Sequence, residues 1–223
     1  MRGHGLSEKP EPPYAWPDFG EDVAALARAM NLRDATGVGH SMGGHSLALA
    51  SLIAPEAFAE LILIDPVIMP REAYGVRKAE PHFARKRRNQ WSSADEMYER
   101  FRDRPPFRDW DARVLRDYCG YGLLPAPNGD GFVLACPPEI EGSIYEASGL
   151  PGADLHHRLA GVGAQVTIVR SARPMRAEKP MDMGASPTDP ELASCFLNAR
   201  DVTTAYSHFI PMEAPDFVAG LIA

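Results

Sequence analysis

Apolar residues along the chain fall into two patterns, short unbroken runs and helical spacing. Leu61-Ile62-Leu63-Ile64 is an unbroken apolar run that stops at Asp65-Pro66, and Gln165-Val166-Thr167-Ile168-Val169 is a second such run. Runs this short and without alternation predict strands buried on both faces, as in a parallel sheet. Phe19, Val23, Leu26, Ala27 and Met30 instead recur at helical spacing, and Asp18 and Glu21 are placed like a capping box, so a helix is predicted before residue 34. Asp34-Ala35-Thr36-Gly37-Val38 reads as a short strand, and Ser46 to Ala54 as a helix rich in strong helix formers. Near the C-terminus, Val202-Thr203-Thr204-Ala205-Tyr206 reads as a strand, with a helix opening near Pro215 and Asp216. Strands alternating with helices predict an α/β fold: a mostly parallel sheet with helices on both faces.

The pattern changes between Pro70 and Ala147. Ser93-Ala94-Asp95-Glu96 forms a capping box for a helix through Arg102, and Asp111 to Tyr118 predicts a second helix beyond Pro105-Pro106. Pro10 to Pro13 and Pro125 to Asp130 read as loops. The expected organisation is a sheet-bearing core, residues 1–69 and 147–223, interrupted by a helical insertion over 70–146. The basic tetrad Arg85-Lys86-Arg87-Arg88 in that insertion reads as a solvated face, because the chain carries a net charge of −7 and lacks aromatic-basic interleaving.

Candidate chemistry centres on the chain's one G-x-S-x-G, Gly39-His40-Ser41-Met42-Gly43. A serine is a poor nucleophile unless it projects from a sharp turn within reach of a base. Flanking glycines permit such a turn, and the predicted strand-turn-helix context is what a nucleophile elbow requires. A dinucleotide-loop reading fails because its third glycine would fall on Met42. The second element is His208, in Ser207-His208-Phe209 just past a predicted strand, where an imidazole can swing over the serine. His4 and His40 sit in glycine-rich stretches, His45 in the first turn of the elbow helix and His82 in a charged segment. His156 and His157 are adjacent and make a poor metal pair, so no metal site is expected. Ser41, Asp65 and His208 all fall beyond strand C-termini, where parallel sheets bind ligands.

With these residues in place, the chain resembles the α/β-hydrolase family over nearly its whole length. Arg2-Gly3-His4-Gly5-Leu6-Ser7 looks like the family's segment after its fourth strand, Gly39 to Gly43 like its elbow, and Ser207-His208-Phe209 with Met212-Glu213-Ala214-Pro215 like its histidine loop. The resemblance implies Ser41 as nucleophile, His208 as base, the Met42 N–H as an oxyanion donor, and residues 70–146 as a helical cap. It also implies an acid shortly after the family's seventh strand, where Ser171 to Arg176 offers none. Glu178 and Asp182 follow later. The alternative is Asp65, since Asp65-Pro66-Val67-Ile68-Met69-Pro70 resembles the haloalkane dehalogenases that carry their acid at this point. Asp65 is taken as the acid with Asp182 as alternative, and a third reading leaves Asp65 as a strand-end cap. His40, Trp91, Trp110 and Tyr145 are candidate substrate contacts, the aromatics competing with a plain core role.

Family members carry four strands before the segment matching Arg2 to Gly5. The expectation is therefore an α/β-hydrolase fold lacking its first strands, without the loop that gives the second oxyanion donor and with the elbow strand left at an edge. The functional expectation is a serine hydrolase acting on a small-molecule ester or related acyl bond, with no metal or organic cofactor. C–C bond hydrolysis, lactone hydrolysis or perhydrolysis would use the same residues. The competing class is a non-catalytic scaffold. An acidic balance argues against nucleic acid, no apolar run has membrane length, and three cysteines without C-x-x-C point to a cytoplasmic protein of open oligomeric state.

Overall fold

The computed structural model describes residues 1–75, 81–174 and 182–222. It forms two compact units, residues 15–77 with 148–223 and residues 1–14 with 78–147. The first fourteen residues thus cluster with the inserted segment rather than with the sheet. Within that unit the Tyr14 amide donates to Ser143 Oγ, and Gly3 packs against Ile140 and Tyr14.

In chain order the strands are β1 (Ala35–His40), β2 (Phe58–Ile64), β3 (Gln90–Trp91), β4 (Leu123–Pro125), β5 (Phe132–Leu134), β6 (Gln165–Ser171) and β7 (Ala199–Thr204). The helices are α1 (Trp16–Ala29), α2 (Met42–Ile53), α3 (Ala94–Phe101), α4 (Ala112–Tyr121), α5 (Pro138–Ala147), α6 (Ile210–Glu213) and α7 (Pro215–Ala219). The larger unit holds a four-stranded sheet in the order β1-β2-β6-β7, parallel throughout. Alternate residues of the strands serve opposite faces. Leu61, Leu63, Val166 and Ile168 pack with Leu49 of α2 and Ala24 and Ala27 of α1, while Ile62, Ile64 and Val169 pack with Ile210 of α6 and Phe217 of α7. Helices therefore cover both faces, which is why the central strands read as unbroken apolar runs.

Several predicted boundaries move for identifiable reasons. α1 begins at Trp16, its N-cap Ala15 makes no side-chain capping bond, and Pro17 occupies its first turn, so Asp18 and Glu21 do not form the expected box. A proline with preset φ and no N–H to satisfy starts a helix by itself. The buried stripe is Trp16, Phe19, Gly20, Ala24 and Ala27, leaving Leu26 and Met30 exposed. β7 ends at Thr204, with Tyr206 outside it.

The smaller unit is not purely helical, since it also contains an antiparallel sheet in the order β3-β5-β4. The stretch read as a loop from Pro125 to Asp130 is mainly the connection of the β4-β5 hairpin, with Gly129 and Gly131 at positive φ. The expected helices are present as α3 and α4, capped by Ser93 and Asp111, though Glu96 reaches back to the Ser92 amide rather than to Ser93. The basic tetrad is not a freely solvated face. Arg85 pairs with Glu139 and Glu146, Arg87 donates to Glu141 and to the Tyr118 hydroxyl, and Arg88 meets Glu96 and lies over the Trp91 ring. Among the described residues, no helix is long and apolar enough to cross a membrane.

Candidate active site

β1 runs directly into α2 through Ser41, whose backbone lies at φ 57 and ψ −122. For a residue with a side chain this is a strained conformation costing on the order of 1–3 kcal/mol. Surrounding bonds hold it: the Ser41 amide donates to Ile64 O at 2.9 Å, and its carbonyl accepts from Val67 N at 3.1 Å. The turn is tight enough that a Cβ on Gly39 would lie 2.5 Å from Gly43 O, and one on Gly44 would lie 2.8 Å from Pro66 Cβ. Gly43, the second glycine of the pentad, meets nothing within 4 Å. The close approach is therefore bought by Gly39 and Gly44, and Gly43 leaves open space beside the serine.

Asp65 ends β2 in the same way, at φ 41, with its amide donating to Val169 O at 2.7 Å. Its side chain is fully buried. Oδ1 accepts from Ser186 Oγ at 2.6 Å, Ser171 N at 3.1 Å and Thr188 Oγ1 at 3.2 Å, while Oδ2 faces His208 Nδ1 at 2.7 Å. Every contact is a donor, which suits a group that only accepts. With Nδ1 as the N–H facing the carboxylate, Nε2 is left as the acceptor for Ser41 Oγ, 3.1 Å away. Three side chains from the ends of β1, β2 and the loop after β7 thus converge in one hydrogen-bonded chain.

The His208 loop is held from three directions. Its amide donates to Gly184 O at 2.9 Å, its carbonyl accepts from His40 Nε2 at 2.8 Å, and Glu213 accepts from both the amide and the hydroxyl of Ser207. His40, expected to touch substrate, uses its ring N–H on the backbone of His208. Asp182 does not reach the relay. It is exposed, and its Oδ1 accepts from Gly184 N at 2.9 Å, closing a local turn. Glu178 lies outside the described residues. Trp91 and Trp110 are buried in the smaller unit's own aromatic cluster with Phe101, Phe107 and Tyr118, and Tyr145 stacks on His82 at 4.3 Å. These contacts are those of a core.

Nothing in the chain singles out Ser186 and Thr188, because serine and threonine are ordinary in loops and become informative only beside a buried carboxylate. His156 was also missed. It is buried between two carboxylates, Nδ1 at 2.7 Å from Asp154 Oδ1 and Nε2 at 3.0 Å from Asp189 Oδ2.

Burial pulls two histidines of α2 and its approach down to about 4. His40 is lowered by desolvation and then by its neighbour His208, and His45 by desolvation alone, with its Nε2–H donating to Ala153 O at 2.9 Å. An unfolded imidazole takes its proton near 6.5. Between about pH 6.5 and 4 the unfolded chain therefore binds more protons than the folded one, so stability falls as pH falls through that window. The fully buried His45 alone is worth about 3 kcal/mol across it. Denaturant unfolding at several pH values should show this loss, with a shallower slope in His45→Gln, which keeps a donor for Ala153 O. Equal slopes in the two proteins would refute it.

The sequence pattern of the alpha/beta hydrolase family matches residues 1–221. Among characterised relatives, 2-(acetamidomethylene)succinate hydrolase of Mesorhizobium japonicum is 39% identical over 65 residues, 29% of this chain and 23% of that protein. A putative esterase/lipase of Haemophilus influenzae is 37% identical over 75 residues, 34% of this chain and 26% of its own length. The matched segments thus span about a quarter of these relatives. Among solved structures, a peroxisomal alpha-beta-hydrolase of Saccharomyces cerevisiae superposes with a TM-score of 0.75 at 20% identity, covering 99% of this chain and 62% of that one. E-2-(acetamidomethylene)succinate hydrolase gives 0.73 at 22% identity, covering 100% and 77%. The match over residues 1–221, on a parallel sheet with a strained serine between β1 and α2, establishes that the chain belongs to the alpha/beta hydrolase family.

Proposed function

We propose that the chain is a serine hydrolase that cleaves an ester or a related acyl bond through an acyl-enzyme. The observation that carries this reading is the relay itself, Ser41 Oγ to His208 Nε2 at 3.1 Å and His208 Nδ1 to Asp65 Oδ2 at 2.7 Å. Ser41 attacks the acyl carbon as its proton passes to His208 Nε2. Asp65 holds the tautomer that makes this possible and stabilises the imidazolium that forms. The oxyanion meets the Met42 N–H. As the first residue of α2 it has no acceptor within the helix, and the helix dipole favours negative charge there. His208 then returns the proton to the leaving group, and water repeats the sequence on the acyl-enzyme.

Similar proteins support an acyl substrate, since they include a putative esterase/lipase of Haemophilus influenzae, an enol-lactonase of Burkholderia xenovorans and a deformylase of Pseudomonas putida. The direct test is reaction with a fluorophosphonate, which phosphonylates an activated serine, followed by mass-spectrometric mapping of the adduct. The adduct is expected on Ser41, formed more slowly when a small ester competes. A folded protein that takes no label, or takes it elsewhere, would overturn the reading and favour a scaffold without catalysis.

A further inference from the structure

Asp65 is a fully buried carboxylate at a strained strand end, 121 residues before the loop that orients it. That loop, residues 186–189, wraps the segment just after Asp65. The Asp189 amide donates to Ile68 O at 2.8 Å, and the single Thr188 hydroxyl proton is shared between Pro66 O at 2.8 Å, the shorter bond, and Asp65 Oδ1 at 3.2 Å. Ser186 Oγ makes the shortest contact to Asp65, 2.6 Å, and is itself held as acceptor by the Thr188 amide at 3.2 Å. One residue further on, Asp189 Oδ2 faces His156 Nε2, and the other nitrogen of that ring faces Asp154. The His156 side chain is 1% exposed, so this contact lies out of water. A ring fixed at both nitrogens cannot swing, and it ties residue 189 to residue 154 on the connection between α5 and β6.

We propose that Ser186 and Thr188 are positioning residues for the relay, that their hydroxyls hold Asp65 Oδ1 so that Oδ2 stays aimed at His208, and that Asp154 and Asp189, tied together by the buried His156 ring, keep them in place. The proposal rests on the serine-hydrolase reading given above. Its physical basis is that a carboxylate has two oxygens and free rotation about its last bond. Occupying one oxygen with donors fixes the plane of the other. The clamp also satisfies a buried charge that would otherwise be costly.

The test contrasts shape with chemistry. Thr188→Val keeps the side chain's volume and loses the hydroxyl, whereas Thr188→Ser loses a methyl and keeps the hydroxyl. Ser186→Ala removes the shorter bond. Losing a hydrogen bond to a charged group corresponds to roughly a ten- to hundredfold fall in kcat. Ser186→Ala is expected to show that fall at unchanged KM, Thr188→Val a smaller fall of the same kind, and Thr188→Ser near wild-type values. Asp189→Ala should reproduce the Ser186→Ala defect, and the double variant should be little worse than either single one.

A readout independent of turnover is the far-downfield proton resonance of His208 Nδ1–H bonded to Asp65. It should move or broaden in Ser186→Ala and Thr188→Val and stay in place in Thr188→Ser. An unmoved resonance with unchanged kcat in folded Ser186→Ala overturns the clamp, as does Thr188→Ser behaving worse than Thr188→Val, which would mark a packing role. Should the wild type show the resonance but take no fluorophosphonate, the hydrolase reading falls, and the response of the resonance still decides whether these hydroxyls hold Asp65.

Discussion

Alanine at Ser41 is expected to lower kcat by about a millionfold, alanine at His208 by a similar factor, and the double substitution by scarcely more than either. The reason lies in the relay's geometry. Ser41 Oγ and His208 Nε2 are 3.1 Å apart, so on the proposed serine-hydrolase reading the serine's nucleophilicity is a property of the pair, and removing either partner ends the same step. A residual rate over water would remain from the Met42 N–H and from substrate binding. The measurement is kcat and KM on an activated ester for the wild type, both single variants and the double variant, with active fraction and melting temperature checked alongside. Multiplicative losses would show that the two side chains act independently, which the relay does not allow. A Ser41→Ala protein retaining a tenth of the activity would place the nucleophile elsewhere.

How much of this was legible in the chain varied with how local the cause is. The elbow could be read because its requirement is local: a strand, a helix and glycines where backbone meets backbone. Even so, the pentad pointed to Gly43, whereas the steric demand falls on Gly39 and Gly44, since Gly44 faces Pro66 on a different strand end. The parallel sheet was legible from Leu61 to Ile64 and from Val166 to Val169, because burial on both faces leaves an unbroken apolar run. Leu26 and Met30 kept the helical period yet are exposed, for the period fixes a face and not where that face runs out of partners. Arg85 and Arg87 looked like part of a solvated run because their partners Glu139, Glu141 and Glu146 are some fifty to sixty residues away in the chain. For His156 half of the pairing is local, with Asp154 two residues before it, and half is not, since Asp189 lies 33 residues beyond it. Relays and clamps are long-range objects, and a single sequence shows their parts without their pairing.

The choice between Asp65 and Asp182 is where that limit mattered most, and it leads to the second large effect. Asp65→Asn is expected to lower kcat by about four orders of magnitude. An amide at this position presents a donor to His208 Nδ1 or to the hydroxyls of Ser186 and Thr188, and all three already donate. The imidazole then favours the tautomer with its proton on Nε2, which cannot accept from Ser41. Asp182→Asn is expected to change kcat less than about threefold, because an exposed asparagine still offers an oxygen to the Gly184 amide. Asp182→Ala loses that turn bond, and since Gly184 O receives the His208 amide, a few-fold loss through the histidine loop is expected there. Kinetics on the three variants, with melting temperatures to separate misfolding from misorientation, give the comparison. A severe loss in Asp182→Asn beside a mild one in Asp65→Asn would transfer the role to the later acid. It would also mean that the loop from 182 to 189 rearranges when substrate binds, since in the structure the Asp182 carboxylate turns to Gly184 and the Asp65 carboxylate to His208.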